Sequence, residues 1–195
     1  ILYKIIGKGT EALSMSSAGD VLDVLGPLGR GFSTRGDFSH IHMVAGGIGV
    51  APLVFLTNHL VRQGVSSSQM SLFIGGRSCG DLLCLEIFER LGIQIKVTTD
   101  DGTAGDQCLV TQPLEEALRQ RKPEIIFACG PMPMLREVMA ISRKDGIPCQ
   151  VSIETMMACG MGACLGCAVE NRDSPEKYLH TCMDGPVFEA GRIKI

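Results

Sequence analysis

The stretch His42-Met43-Val44-Ala45-Gly46-Gly47-Ile48-Gly49-Val50-Ala51-Pro52-Leu53 joins an apolar run to a glycine turn and then to a helical pattern. His42–Ala45 reads as a buried strand. Residues 51–63 read as a helix with Pro52 in its first turn, where a missing N–H costs nothing. Glycines at 46, 47 and 49 let the backbone turn sharply and approach a pyrophosphate. The helix start behind them offers free N–H groups and a positive dipole end. A tight strand–helix turn needs similar residues, so the stretch takes its meaning from its surroundings.

Outward from it, short apolar runs alternate with helical patterns. Residues 71–74, 94–98, 125–129 and 150–153 read as buried strands. Residues 82–91, 113–121 and 132–144 read as the helices between them. Such alternation predicts an α/β fold, here a five-stranded parallel, doubly wound sheet over residues 38–154. Ligands of these sheets bind beyond the carboxyl ends of the strands. The fourth strand ends in Ala128-Cys129-Gly130-Pro131-Met132, which faces a small polarizable thiol into that crevice. Cys129 reads as a wall of the pocket or as a small buried side chain, not as a nucleophile. Cys79, Cys84, Cys108 and Cys149 read as buried fillers. Gly75-Gly76-Arg77 ends the second strand, and Arg77 either reaches the adenosine end of a dinucleotide or is a solvated cation. Thr98-Thr99-Asp100-Asp101-Gly102 reads as a turn with solvated acids. The candidate dinucleotide site is Gly46, Gly47, Gly49, Val50, Ala51, Pro52, Arg77, Cys129, Gly130, Pro131 and Met132.

The tail carries a second chemistry. Cys159, Cys164 and Cys167 are spaced C-x4-C-x2-C, and Cys182 follows after fourteen residues. This is the spacing of a plant-type [2Fe–2S] loop. Gly160, Gly162, Ala163 and Gly166 leave room for backbone N–H groups to approach the sulfurs. Structural zinc prefers two close Cys pairs, whereas only Cys164 and Cys167 form one here. A Rieske centre needs two His ligands, and only His180 lies near. A zinc-stabilised interaction module remains the distant alternative. Met156, Met157, Met161, Leu165 and Met183 crowd the loop, as a local core or as a contact face.

The chain has 195 residues, a net charge of −3, and nine cysteines, an odd number that argues against a closed disulfide framework. Nothing in this balance points to nucleic acid or an anionic membrane as partner. No apolar run has transmembrane length, and a reducing cytoplasm is the simplest setting. Residues 1–37 read as β-rich, with strands at 1–6 and 21–25. The start at Ile1 suggests a fragment lacking its amino-terminal part. Residues 155–195 read as the cysteine loop followed by a small hairpin.

Taken together, Gly46–Pro52 and Cys129-Gly130-Pro131 resemble the ferredoxin reductase-like family, in which a flavin-binding β-barrel precedes a nicotinamide-binding domain. Ser152-Ile153-Glu154, the cysteine loop and Cys182-Met183-Asp184-Gly185-Pro186-Val187-Phe188 are similar to the electron transfer subunits of dihydroorotate dehydrogenase B. So are Tyr3–Thr10 and Gly26-Pro27-Leu28-Gly29. The resemblance implies a [2Fe–2S] cluster on Cys159, Cys164, Cys167 and Cys182, with NAD in the sheet crevice and FAD near the barrel remnant. It implies a partner too, an FMN-containing dihydroorotate dehydrogenase catalytic subunit in a heterotetramer with two of each subunit. Electrons would pass from that subunit through the cluster and FAD to NAD+, in pyrimidine biosynthesis. Related reductases of hydrogenase, sulfide reductase or NADPH-ferredoxin type are the alternative. The family's main flavin motif lies upstream of the part that matches Ile1. The resemblance therefore implies an incomplete FAD site here, limited to Ile1, Tyr3, Lys4, Gly9 and Thr10, and poor FAD retention by this chain.

Overall fold

The computed structural model describes all residues 1–195. Five parallel strands form the centre: β1 (Ile41–Gly46), β2 (Met70–Gly76), β3 (Gln94–Thr99), β4 (Ile125–Cys129) and β5 (Cys149–Ser152). Between them run α2 (Val50–Arg62), α3 (Leu85–Arg90), α4 (Thr111–Gln120) and α5 (Met132–Asp145). One short helix, α1 (Lys8–Ser14), precedes them. After β5 come β6 (Ala168–Asn171), β7 (Tyr178–His180), the one-turn α6 (Thr181–Asp184), β8 (Val187–Glu189) and β9 (Ile193–Lys194).

The main sheet has the order β3-β2-β1-β4-β5-β8. The expectation of five parallel strands holds, and a sixth is added, because β8 pairs antiparallel with β5 at the edge. The chain starts in the middle at β1, moves out to β3, then returns to β4. The switch point therefore lies between the carboxyl ends of β1 and β4. Both sheet faces are covered. Ile41, Met43, Ala45, Ile125 and Phe127 pack with α2 and α3 on one side. Val44, Ile126 and Ala128 pack with α4 and α5 on the other. Each fully buried large side chain, such as Phe127, Leu53 or Leu135, contributes about 1.5–3 kcal/mol.

The ends of α5 follow local rules. Pro133 sits in its first turn, and Gly146 closes it in a left-handed conformation with φ +68°. Helix α3 is shorter than the pattern at 82–91 predicts. Cys84 takes a positive φ of 60° at its start and cannot continue a helix.

Residues 1–37 correct the β-rich reading. They hold α1 and a single bridge, Arg30 to Pro186, with no strand at 1–6 or 21–25. Apolar alternation makes a strand only when a neighbour accepts its hydrogen bonds, and these segments pair with none. Ile1, Ile5, Ile6, Val21, Val24 and Leu25 are exposed. The following segment is anchored to the sheet. The Phe32 and Phe38 rings meet Phe127 edge-on at centroid distances of 5.3 and 6.3 Å. The Ser33 N–H donates to Gln150 Oε1 at 2.9 Å.

The tail is also richer than a hairpin. β7-β6-β9 form a three-stranded antiparallel sheet. Val169, Leu179, Phe188, Ala190 and Ile193 share one core with Val151, Val138 and Leu135. The cysteine loop is thus mounted on the nucleotide sheet by packing, not tethered to it.

Candidate functional site

Two turns meet at the switch point. β1 runs through Gly46 into the 3-10 turn Gly47–Gly49 and then into α2. β4 runs into Gly130-Pro131 and α5. They touch backbone to backbone. A Cβ on Gly46 would lie 2.6 Å from Pro131 Cδ and 2.8 Å from Met134 Sδ. One on Gly130 would lie 2.6 Å from Met134 Cε and 2.9 Å from the Gly46 nitrogen. One on Gly49 would lie 2.5 Å from the Cys129 carbonyl carbon. Gly46, Gly49 and Gly130 are therefore required by the packing of the two turns, a different reason from approach to a phosphate. Gly47 is the glycine that stays open, with nothing within 4 Å of its Cβ position and φ +51°. Behind it, the turn runs straight into α2 and the Val50 N–H is given to the Gly47 and Ile48 carbonyls, which moves the amides without an intrahelical acceptor back into the Gly47–Gly49 turn. Of the other expected residues, Val50 has its side chain in the core, and Ala51 and Pro52 are half-buried in the first turn. Pro131 is exposed at the crevice, whereas Met132 packs against the core below. Met134, whose thioether covers Gly46 and Gly130, carries no signal in the sequence.

Cys129 is half-buried at the end of β4, level with Ala45 and Ser152 on the neighbouring strands. Burial pushes its thiol up to about 11, with the Ser152 hydrogen bond opposing. It is a neutral wall at pH 7. Arg77 is exposed beyond β2, and its Nε lies 3.6 Å from Asp81 Oδ2. Asp101 accepts from the Thr103 N–H and hydroxyl at 2.9 and 2.6 Å, which holds its carboxyl below the usual range. A cavity of about 650 Å³ lies at the other end of the sheet, against Asp37, Phe38, Gln63 and Gln69. The crevice is thus marked by topology, not by volume.

The four cysteines come together in the tail. Gly160 and Gly162 turn the loop with φ of +70° and +81°, and Leu165 does so at +58°. The Cys164 and Met161 N–H groups point at Cys159 Sγ, at 3.4 and 3.5 Å, and lower that thiol to about 6. Cys167 and Cys182 are buried, with their sulfurs 3.3 Å apart. The shared hydrogen bond with Cys167, then burial, raises the Cys182 thiol. No three His, Cys, Asp or Glu side chains converge to hold a single ion. The cysteines fall instead into two pairs, 159 with 164, joined by the Cys164 N–H and its side chain, and 167 with 182, joined sulfur to sulfur. Two thiolates for each of two irons is the donor set of a [2Fe–2S] cluster, so the residues fit it. Met156, Met161, Leu165 and Met183 around the loop are exposed, at 92, 52, 57 and 53 %. They form an exposed apolar face, not a local core.

The expected flavin contacts lie mostly at the surface. Ile1 and Lys4 are exposed, and Tyr3 is half-buried. Thr10 is not the cap of α1. Gly7 is, and Thr10 Oγ1 reaches back to accept from the Ile6 and Gly7 N–H groups at 2.9 and 3.2 Å. The first amides of α1, at Lys8 and Gly9, have no intrahelical acceptor. The stretch Gly26–Arg30 reaches the cysteine loop. The Arg30 N–H donates to the Gly185 carbonyl, and Leu28 Cδ1 lies 3.9 Å from the Cβ position of Gly160.

Comparison with known proteins agrees with this layout. Residues 154–194 match the iron–sulfur cluster binding domain of dihydroorotate dehydrogenase B, and residues 43–140 match an oxidoreductase NAD-binding domain. The dihydroorotate dehydrogenase B (NAD(+)) electron transfer subunit of Caldanaerobacter subterraneus subsp. tengcongensis is 39% identical, over 99% of this chain and 74% of its own. That of Desulforamulus reducens is 35% identical, over 99% of this chain and 73% of its own. Among solved structures, the NADH-dependent reduced ferredoxin-NADP oxidoreductase involved in flavin-based electron bifurcation superposes with a TM-score of 0.84. It is 31% identical, over 98% of this chain and 67% of that one. The cytochrome b5 reductase domain of Ulva prolifera nitrate reductase shares the fold, with a TM-score of 0.59 at 24% identity, over 72% of this chain and 61% of that one.

Proposed function

Because the chain belongs to the family of dihydroorotate dehydrogenase B (NAD+) electron transfer subunits, we propose that its two sites lie on one electron path, with Cys159, Cys164, Cys167 and Cys182 at one end and the β1/β4 crevice at the other. The chain is the oxidoreductase subunit that delivers electrons to NAD+, with a [2Fe–2S] cluster, FAD and NAD as cofactors and a dihydroorotate dehydrogenase catalytic subunit as partner. The observation that carries this reading is the approach of Cys164 to Cys159 and of Cys167 to Cys182, on a loop and turn carried by a small sheet that packs into the core of the nucleotide sheet.

The bound cofactors supply the redox chemistry: single electrons at the cluster, hydride at the nicotinamide, and both at the flavin. The protein supplies spacing and shielding. The Cys167–Cys182 pair is buried, and Cys164 faces outward among exposed methionines. The exposed methionines support a reading in which the catalytic subunit covers the outer pair. Gly47 and the amides of the turn before α2 hold the nicotinamide dinucleotide's pyrophosphate, and Cys129 and Pro131 line the nicotinamide end. Arg77 is tied to Asp81, which suits a dinucleotide without a 2′-phosphate. Gly9 and Lys8 offer amides to the flavin phosphates. The division of labour is residues 1–37 with the flavin, 38–154 with NAD and 155–195 with the cluster.

The catalytic subunit carries FMN, the assembly contains two of each subunit, and it works in the cytoplasm. No helix is long and apolar enough to cross a membrane. The test is Cys164→Ser in the assembled enzyme. It should bleach the visible iron–sulfur absorption and abolish dihydroorotate-dependent NAD+ reduction, while NADH oxidation by a dye that accepts from flavin persists. Undiminished coupling would remove the cluster from the path.

A further inference from the structure

Three elements converge on the inner cysteine pair. β6 and β7 pair antiparallel with Ala168 opposite His180. One step further along that ladder, Cys167 stands opposite Thr181. Thr181 is fully buried, and it gives both its donors to one acceptor. Its N–H lies 3.0 Å and its hydroxyl 3.2 Å from the Cys167 carbonyl oxygen. The next residue is Cys182, whose sulfur lies 3.3 Å from Cys167 Sγ. Met183 follows. Its Cγ and Sδ lie 2.9 and 3.0 Å from the Cβ position of Gly162, in the loop between Cys159 and Cys164. Asp184 closes the turn by accepting from the His180 N–H at 2.8 Å.

On this arrangement, and on the cluster reading above, we infer that Thr181 is the positioning residue of the Cys167–Cys182 pair, and that α6 is a clip that closes the cysteine loop. The ladder bond from the Thr181 N–H sets the register. The hydroxyl adds a second tie that fixes the turn from strand into α6, and so aims Cys182. The Thr181 side chain is fully buried, so its hydroxyl is satisfied by the Cys167 carbonyl and not by solvent. Its loss leaves the backbone register intact and loosens only the angle at which Cys182 meets Cys167. Met183 carries the same constraint to the outer pair through Gly162, where any side chain would collide with it.

The test compares Thr181→Val and Thr181→Ser with wild type in the assembled, cofactor-loaded enzyme. Two readouts are taken: the EPR line shape of the reduced cluster and the rate at which an iron chelator bleaches its visible absorption. Thr181→Val should bleach roughly two- to tenfold faster, the range expected for one net hydrogen bond, with an altered EPR signal. Thr181→Ser, which keeps the hydroxyl, should behave as wild type in both. A valine variant that matches wild type in both readouts overturns the inference, and so does a serine variant that bleaches as fast as valine. Should the valine variant not accumulate, the serine variant decides alone: wild-type behaviour supports the clip, and faster bleaching sinks it. Wild type without iron would overturn the cluster reading itself, a result distinct from a clip that fails on an intact cluster.

Discussion

Gly49→Ala tests the claim that the nucleotide crevice is built by two turns in backbone contact. The new methyl would sit 2.5 Å from the Cys129 carbonyl carbon and 2.7 Å from the Gly130 nitrogen, against 3.4 Å for ordinary contact. Both atoms belong to a backbone held on two sides, because Cys129 is level with Ala45 on β1 and Ser152 on β5. No flexible side chain is available to yield. The turns must part by about 1 Å, an overpacking cost of about 1–3 kcal/mol. For a chain of this size that is a fall in Tm of roughly 2–12 °C. A displacement of about 1 Å at a positioning element can also cost on the order of 100-fold in rate. The assay is a thermal melt with steady-state NADH oxidation and a visible spectrum. NADH turnover should fall steeply while the iron–sulfur spectrum is kept. Gly47→Ala is the contrast. Nothing lies within 4 Å of its Cβ position, so its cost is the left-handed backbone alone, about 1–2 kcal/mol. A Gly49→Ala protein that melts within a degree of wild type, with unchanged NADH turnover, would refute the reasoning.

Three further outcomes follow from other parts of the molecule. Cys129, with its thiol pushed up to about 11 by burial, should resist iodoacetamide at pH 7.5, and Cys129→Ala should keep NADH turnover within about tenfold, far from the loss expected of an essential nucleophile. His42 and His40 face each other with their Nε2 atoms 3.0 Å apart, and burial, then His40 and Arg121, lower His42 to about 4. The unfolded chain therefore binds more protons than the folded one between about pH 6.5 and 4, so stability is full above this window and falls by up to about 3 kcal/mol as pH drops through it; denaturant melts at pH 7.5 and 4.5 on wild type and His42→Phe would show a smaller acid loss in the variant. Gln150 joins the linker to the edge strand, accepting from the Ser33 N–H and donating to Glu189 Oε1 at 2.8 Å; both partners are exposed, so Gln150→Leu should cost about 0.5–1.5 kcal/mol in net hydrogen bonding, read as a lower Tm with an unchanged cluster spectrum.

The parts of the fold legible in the sequence are those set by local pattern. β1 to β5 and α2, α4 and α5 lie within a residue or two of their apolar runs, because burial on both faces writes continuous hydrophobic stretches. What escaped depends on contacts distant along the chain. β8 has only three residues, and pairing with β5 alone makes it a strand. The runs at 1–6 and 21–25 look like strands but have no neighbour to pair with, so their pattern is silent here. The left-handed Cys84 that shortens α3 has no sequence mark. At the sites, residue identity was readable and reason was not. Gly46 and Gly49 stood out as glycines, yet only the Cys129–Pro131 turn shows why a side chain is barred there. The cysteine spacing singled out the four candidate ligands. Thr181 and Met134 passed as ordinary residues, because their roles arise from the β6–β7 register and the α5 start.

The central claim is that Cys159, Cys164, Cys167 and Cys182 together hold a two-iron centre beside the nucleotide sheet. Iron and acid-labile sulfide per chain, measured on anaerobically purified protein together with the EPR spectrum after reduction, test it most directly. The account predicts about two irons and two sulfides with a reduced-state signal. Stoichiometric zinc, or a colourless protein without iron, would contradict it.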